Sequence, residues 1–166
     1  MVWLLSFLKG FCYAGRGIAT AVSQERNLRI HITITFYVSA AALLAEFSKI
    51  KLILLCLCFG LVLSMELINT AIERACDAID PKPNPLIRVA KDAAAGGVLL
   101  SAISTALVGV LLFASQAVWK TIWGNITAFP FWGIMLLLLL PLFLFWIIRA
   151  PSPAPPGASS PPSERE

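Results

Sequence analysis

Glu66-Leu67-Ile68-Asn69-Thr70-Ala71-Ile72-Glu73-Arg74-Ala75-Cys76-Asp77 follows directly on an apolar run over residues 52–65. The join reads as the end of a membrane-spanning helix that carries acids. Glu66, Asn69 and Glu73 stand at i, i+3 and i+7, which puts them on one helical face. Asp77 and Asp80 continue the stripe. An ionisable side chain at membrane depth is expensive, so its presence there argues for function. Two carboxylates and an amide on one face, at a bilayer boundary, suit a metal ion and a proton acceptor.

The rest of the chain fits that setting. With 58% hydrophobic and 13% charged residues it belongs to the membrane class rather than to soluble domains. Four stretches approach the roughly 20 apolar residues that a span needs: residues 30–47, 52–72, 93–114 and 129–148. The first is slightly short, but Thr33 and Thr35 can bond back to their own helix. Basic residues mark the cytoplasmic side. Lys9, Arg16, Arg26 and Arg29 precede the first span, and Arg74, Lys82, Arg88 and Lys91 lie between the second and third. Arg149 and Arg165 follow the fourth. Only Lys49, Lys51 and Lys120 fall in the alternate connections. Both termini and the 74–91 loop are therefore expected in the cytoplasm, as an even number of spans requires.

Between the spans, residues 2–22 are too polar to cross and read as an amphipathic helix on the cytoplasmic membrane surface. No basic segment precedes their apolar run, so they are read as uncleaved rather than as a signal peptide. A first polar cluster covers residues 23–31, where Glu25 gains nothing from anionic headgroups. Residues 46–51 form a short external turn. The second spanning helix is expected to run past the membrane to about Ile79, stopped by Pro81, Pro83 and Pro85. Arg88, Lys91 and Asp92 open the third span. Ala93-Ala94-Ala95-Gly96-Gly97 follows and lets another helix pack close. Lys91 and Asp92 should lie level with Glu73 if the two helices are antiparallel. The fourth span, bent by Pro130 and Pro141, carries no chemistry and reads as an anchor or packing element. The Pro/Ser-rich residues 150–166 are disordered by composition. Cys12, Cys56, Cys58 and Cys76 form no disulfide or zinc framework and read as small buried hydrophobes.

The segment from Glu66 to Glu73, the Asp77 after it, and Lys91-Asp92-Ala93-Ala94-Ala95-Gly96 resemble the signature of the small prokaryotic diacylglycerol kinase family, which includes undecaprenol kinases. The likeness covers residues 7–113. The entry segment Glu25-Arg26-Asn27-Leu28-Arg29-Ile30-His31 is more similar to the undecaprenol kinase branch.

The resemblance implies an all-α membrane protein with a surface helix over 1–29 and a three-span kinase bundle over 30–115; the extra transmembrane segment over 116–149, read from its apolar run, and the tail over 150–166 lie outside the family's minimal form. It implies ATP as phosphoryl donor, Mg²⁺, a membrane lipid alcohol as acceptor, and a homotrimer with shared active sites in the bacterial inner membrane. No nucleic acid is implied. By position, Glu66 matches the general base that takes the proton of the lipid hydroxyl. Asn69 matches the amide that positions nucleotide and substrate, and Glu25 and Glu73 match the acids that hold Mg²⁺. Lys91 matches the phosphate-contacting lysine and Asp92 the acid after it. Tyr13 and Gly17 match positions near the nucleotide. The family's arginine early in the surface helix is replaced here by Ser6, with Lys9 one turn on.

Helical rise puts Glu66 roughly 10 Å deeper than Glu73, on the side where a lipid hydroxyl arrives. The chain has neither a Gly-x-x-x-x-Gly-Lys-Ser/Thr loop nor a protein-kinase motif set. The acceptor stays open at this point between undecaprenol and diacylglycerol. A non-catalytic membrane anchor is the reading from another class.

Overall fold

In the computed structural model, residues 2–80, 82 and 84–149 are described, and all their regular structure is helical. Pro81, Pro83 and the Pro/Ser-rich tail lie outside the described residues. Six helices follow in order: α1 (Val2–Gln24), α2 (Arg26–Leu44), α3 (Lys49–Ile79), α4 (Pro85–Phe113), α5 (Gln116–Ala128) and α6 (Pro130–Ile148). By length and apolar content α2, α3, α4 and α6 can each cross a membrane. The first helix is largely exposed and joins the bundle through Ala21 near its end.

Two helices outrun the apolar stretches that suggested them. With 31 residues, α3 is about 46 Å long, against roughly 30 Å of hydrocarbon, so its acidic end projects. The helix ends at Asp80, whose amide bonds Cys76 O, and the chain re-enters a helix five residues later. Asn84 caps α4 by accepting from the Leu86 amide at 3.0 Å, and Pro85 takes the first turn. Arg74, Arg88 and Lys91 are thus helical residues, and only residues 80–84 form the connection. Hydropathy detects what lipid requires of a helix, whereas its ends are set by caps and breakers.

The antiparallel α3 and α4 form the main packing pair. A Cβ on Gly97 would come within 2.6 Å of Met65 Cε, so glycine permits this approach, whereas Gly96 faces open space. Thr105 Oγ1 donates to Cys58 O across the pair at 3.3 Å.

At the end opposite the acids, α2 closes with the Leu43 and Ala42 carbonyls bonded by the amides of Glu46 and Phe47. This is a Schellman turn, and Glu46 occupies its left-handed position at φ 52° where glycine is usual. Here α5 packs. The stretch before the fourth span, read only as part of one extra transmembrane segment, holds a separate 13-residue helix. Ser115 caps it, and Val118 and Ile122, one turn apart, fill a cluster with Ala42, Phe47 and Leu55. Asn125 Nδ2 donates to Leu44 O at 2.8 Å and to Glu46 Oε1 at 3.2 Å, fastening α5 to the turn.

The last helix is apolar all round, continues through Pro141, and lies along α2. Phe143 meets the rings of Phe36 and Tyr37, and Tyr37 Oη donates to Leu136 O at 3.1 Å. Leucines of α3, α4 and α6 face outward in number, as lipid contact or packing between copies requires. Of the cysteines, Cys76 is buried, while Cys12 and Cys56 are exposed, Cys56 on the apolar surface of α3. The expectation of four buried thiols therefore fails: an apolar helix in lipid need not turn its cysteines inward.

Candidate active site

The face of α3 that carries the acids is turned toward α2 and α4. There the three helices enclose an open cavity of about 320 Å³. Its polar wall consists of Glu66, Asn69 and Glu73 from α3 with Asn27 and His31 from α2. Its apolar wall is Ile30 with Ala95, Val98, Leu99 and Ala102 from α4. The lining positions repeat at helical spacing on every element: 27, 30 and 31; 66, 69 and 73; 95, 98, 99 and 102. One side of the cavity therefore offers hydrogen-bonding oxygens and the other accommodates hydrocarbon.

Glu66 is 4% exposed, and its Oε1 lies 3.3 Å from His31 Nε2. Asn69, at 8%, donates through Nδ2 to Glu73 Oε1 at 2.9 Å, one turn along the same helix. That bond fixes the amide so that its oxygen is buried with no hydrogen-bond partner. Buried acceptors are nearly always satisfied, so Asn69 Oδ1 is a place for a donor or a cation. Among the described residues no group of three or more His, Cys, Asp or Glu side chains is arranged to hold a metal. Mg²⁺ does not need such a group, since it is commonly held by one or two carboxylates plus phosphate oxygens and water. The Glu73 carboxylate and the unpartnered Asn69 oxygen are hard donors of the right kind.

The other expected residues stand around this cavity rather than in it. Glu25 is the one non-helical residue between α1 and α2, with φ −101° and ψ 116°, and its Oε1 receives Arg74 Nη2 at 3.3 Å. Lys91 faces α3 as expected, but its ammonium meets Asp77 at 2.5 Å and does not line the cavity. Asp92 is exposed and pairs with Arg88 along α4 at 3.8 Å. Tyr13 is exposed on α1, and Gly17 has open space where a Cβ would stand. The structure thus gathers Glu66, Asn69 and Glu73 into one wall and leaves Glu25, Lys91, Asp92, Tyr13 and Gly17 on the surrounding surface.

Sequence reasoning gave no role to two lining residues, His31 and Asn27. A signal was available: His31 is the sole histidine of the chain and sits inside an apolar span, where an ionisable group calls for a partner. Asn27 lies one turn before it on the same face.

A family model described as prokaryotic diacylglycerol kinase matches residues 12–113 and so ends at the last residue of α4. A protein of Bacillus subtilis named undecaprenol kinase is 41% identical over 107 residues, 64% of this chain and 87% of its own length. A protein of Synechocystis sp. named diacylglycerol kinase is 39% identical over 105 residues, 63% of this chain and 60% of its own length. No solved structure matches the chain. Both α5 and α6 lie beyond the matched region.

Proposed function

We propose, from the premise that this chain belongs to the prokaryotic diacylglycerol kinase family, that its α2–α3–α4 cavity phosphorylates undecaprenol. As a member it is a membrane-embedded lipid kinase that uses ATP. Undecaprenol is favoured over diacylglycerol because the likeness to the B. subtilis protein spans 87% of that protein, against 60% for the Synechocystis one. The observation that carries the reading is the two-sided cavity, in which a buried carboxylate and an unpartnered amide oxygen face a wall of aliphatic side chains.

The lipid alcohol enters with its chain along Val98, Leu99 and Ala102 and its hydroxyl toward Glu66. Glu66 accepts the hydroxyl proton as the lipid oxygen bonds to the γ-phosphorus and the bond to the β–γ bridging oxygen breaks, releasing ADP. His31 holds the Glu66 carboxylate in place, and Asn69 holds Glu73. Glu73 and the Asn69 oxygen, with Glu25 once freed from Arg74, would hold Mg²⁺, which would neutralise charge on the triphosphate. Lys91, released from Asp77, adds positive charge at the phosphates. Asp92, Tyr13 and Gly17 border the nucleotide.

Three further assignments belong to the same reading. The acidic end of the bundle faces the cytoplasm of a bacterial inner membrane, since basic residues concentrate there. The chain acts as a homotrimer whose outward leucines on α3 and α4 meet neighbouring copies. Subunits then bring surface residues such as Asp92 to a shared site.

The test is transfer of labelled γ-phosphate from ATP with Mg²⁺ by purified protein in micelles. Undecaprenol and diacylglycerol are offered separately, with Glu66→Ala as control. Label in undecaprenol that vanishes in the variant is the expected result. Label in diacylglycerol alone moves the chain to the other acceptor, and no label in either rejects both.

A further inference from the structure

Arg29 stands on the first turn of α2 and is only 5% exposed, yet among the described residues no carboxylate meets it. Its partners are backbone carbonyls. Nε donates to Val22 O at 2.6 Å and Nη2 to Ser23 O at 2.6 Å, both in the last turn of α1. Nη1 donates to Trp146 O at 2.5 Å, in the last turn of α6. The guanidinium also lies 5.0 Å from the centre of the Trp146 ring. Final-turn carbonyls have no donor within their own helix and carry the negative end of its dipole. One buried cation therefore closes two helix ends at once, which compensates for its desolvation without a counter-ion.

The position of this clamp gives it a consequence. Val22 and Ser23 precede the non-helical Glu25, and Arg29 follows it by one turn, its own amide bonding Glu25 O at 3.4 Å. The side chain thus spans the break between α1 and α2 and fixes the angle there. Trp146 belongs to the extension that lies past residue 113, where the family match ends. A planar fork with several fixed donors is needed for this; a lysine ammonium is a point charge and cannot reproduce it.

We propose that Arg29 is a positioning residue and that α6 completes its clamp, so that the C-terminal extension sets the placement of Glu25 and of α1 beside the cavity. The metal- and nucleotide-side consequence rests on the function proposed above. The clamp itself does not.

The test uses the full chain in micelles with two variants. Phe143→Ala/Trp146→Ala removes the rings that seat α6 on α2 and on Arg29 and touches nothing in the cavity. Arg29→Lys keeps the charge and loses the fork. Two quantities are read: amide hydrogen exchange at residues 22–26, and Mn²⁺ affinity alongside half-saturation by Mg·ATP and by lipid. Arg29→Lys loses bonds from the fork outright, and the double variant, which keeps the Trp146 carbonyl, unseats the helix end that carries it; both are expected to speed exchange at residues 22–26 by about tenfold, the scale of one weakened bond to a charged group. Mn²⁺ affinity and Mg·ATP half-saturation should weaken by a similar factor, with lipid half-saturation unchanged. If Arg29→Lys does not fold, the double variant alone decides.

Unchanged exchange at residues 22–26 overturns the clamp. Faster exchange with unchanged Mn²⁺ and Mg·ATP binding overturns its link to Glu25. A wild-type chain that transfers phosphate to neither lipid rejects the kinase reading instead, and the exchange result still judges the clamp.

Discussion

Replacing Glu66 by Gln tests the centre of the site with little disturbance of its surroundings. The side chain is nearly fully buried, and its Oε1 faces His31 Nε2 at 3.3 Å. Glutamine keeps that oxygen and the side-chain volume, so the cavity wall and the His31 contact persist. A neutral amide is also easier to bury than a carboxylate, and stability should change by less than ~1 kcal/mol. What is lost is the proton acceptor. Removal of a positioned general base costs about 10²–10⁴ in rate, or roughly 2.7–5.4 kcal/mol in the barrier at 1.36 kcal/mol per decade. In the proposed reaction Glu66 faces the lipid hydroxyl, about two helical turns from Glu73 on the phosphate side. The loss should therefore appear in kcat, with half-saturation by Mg·ATP unchanged within about threefold. The assay is steady-state transfer of labelled phosphate to undecaprenol by wild type and variant, matched for thermal unfolding and oligomer size. Turnover of the variant within about threefold of wild type would refute Glu66 as the base. A drop confined to Mg·ATP half-saturation would place it in the nucleotide site.

Three further outcomes follow from the geometry. Asn69→Ala removes both the donor to Glu73 and the unpartnered oxygen; the loss of a bond to a charged group, about 1.5–3 kcal/mol, should raise the Mg²⁺ needed for half-maximal transfer by about 10–100-fold in a Mg²⁺ titration. Asn125→Ala breaks the two bonds from α5 to the α2–α3 turn; it should lower stability by about 1–2 kcal/mol in thermal unfolding while leaving kcat within about twofold, because the turn lies at the opposite end from the cavity. Gly97→Val adds branched carbons at a position where even a Cβ would lie 2.6 Å from Met65 Cε; it should cost about 1–3 kcal/mol by overpacking, read as a lower midpoint in denaturant, whereas Gly97→Ala should cost less because the flexible Met65 tip can shift.

The acids of α3 were legible because they obey one helical period inside an apolar context. Their environment was not. Whether Lys91 meets Glu73 or Asp77, one turn apart on the same face, depends on the axial offset of α4 against α3, which the spacing within either helix leaves free. His31 was passed over for a related reason: a single residue has no periodicity, and its pairing with Glu66 exists only across two helices. The short α5 was missed because its inward positions are just Val118 and Ile122, with Trp119 and Lys120 between them. Ser115 was a readable cap, but a 13-residue helix becomes stable through the cluster it joins rather than through its own pattern. The spans were found by hydropathy and the end of α3 by its prolines, whereas the start of α4 is set by the Asn84 cap and Pro85, eight residues before the apolar run that marked the third span.

The seat of α6 along α2 has a consequence for symmetry. In the homotrimer proposed above, a strip of α2 already covered by its own chain is closed to any neighbour, so copies meet through the apolar faces that remain open, those of α3 and α4 and the outer side of α6. A ring of three closes only by head-to-tail contacts, in which each subunit offers two different surfaces and rotation by a third of a turn carries one onto the other. By filling one of the candidate surfaces in cis, the added helix narrows the arrangements that can close, and it does so before any two copies have met.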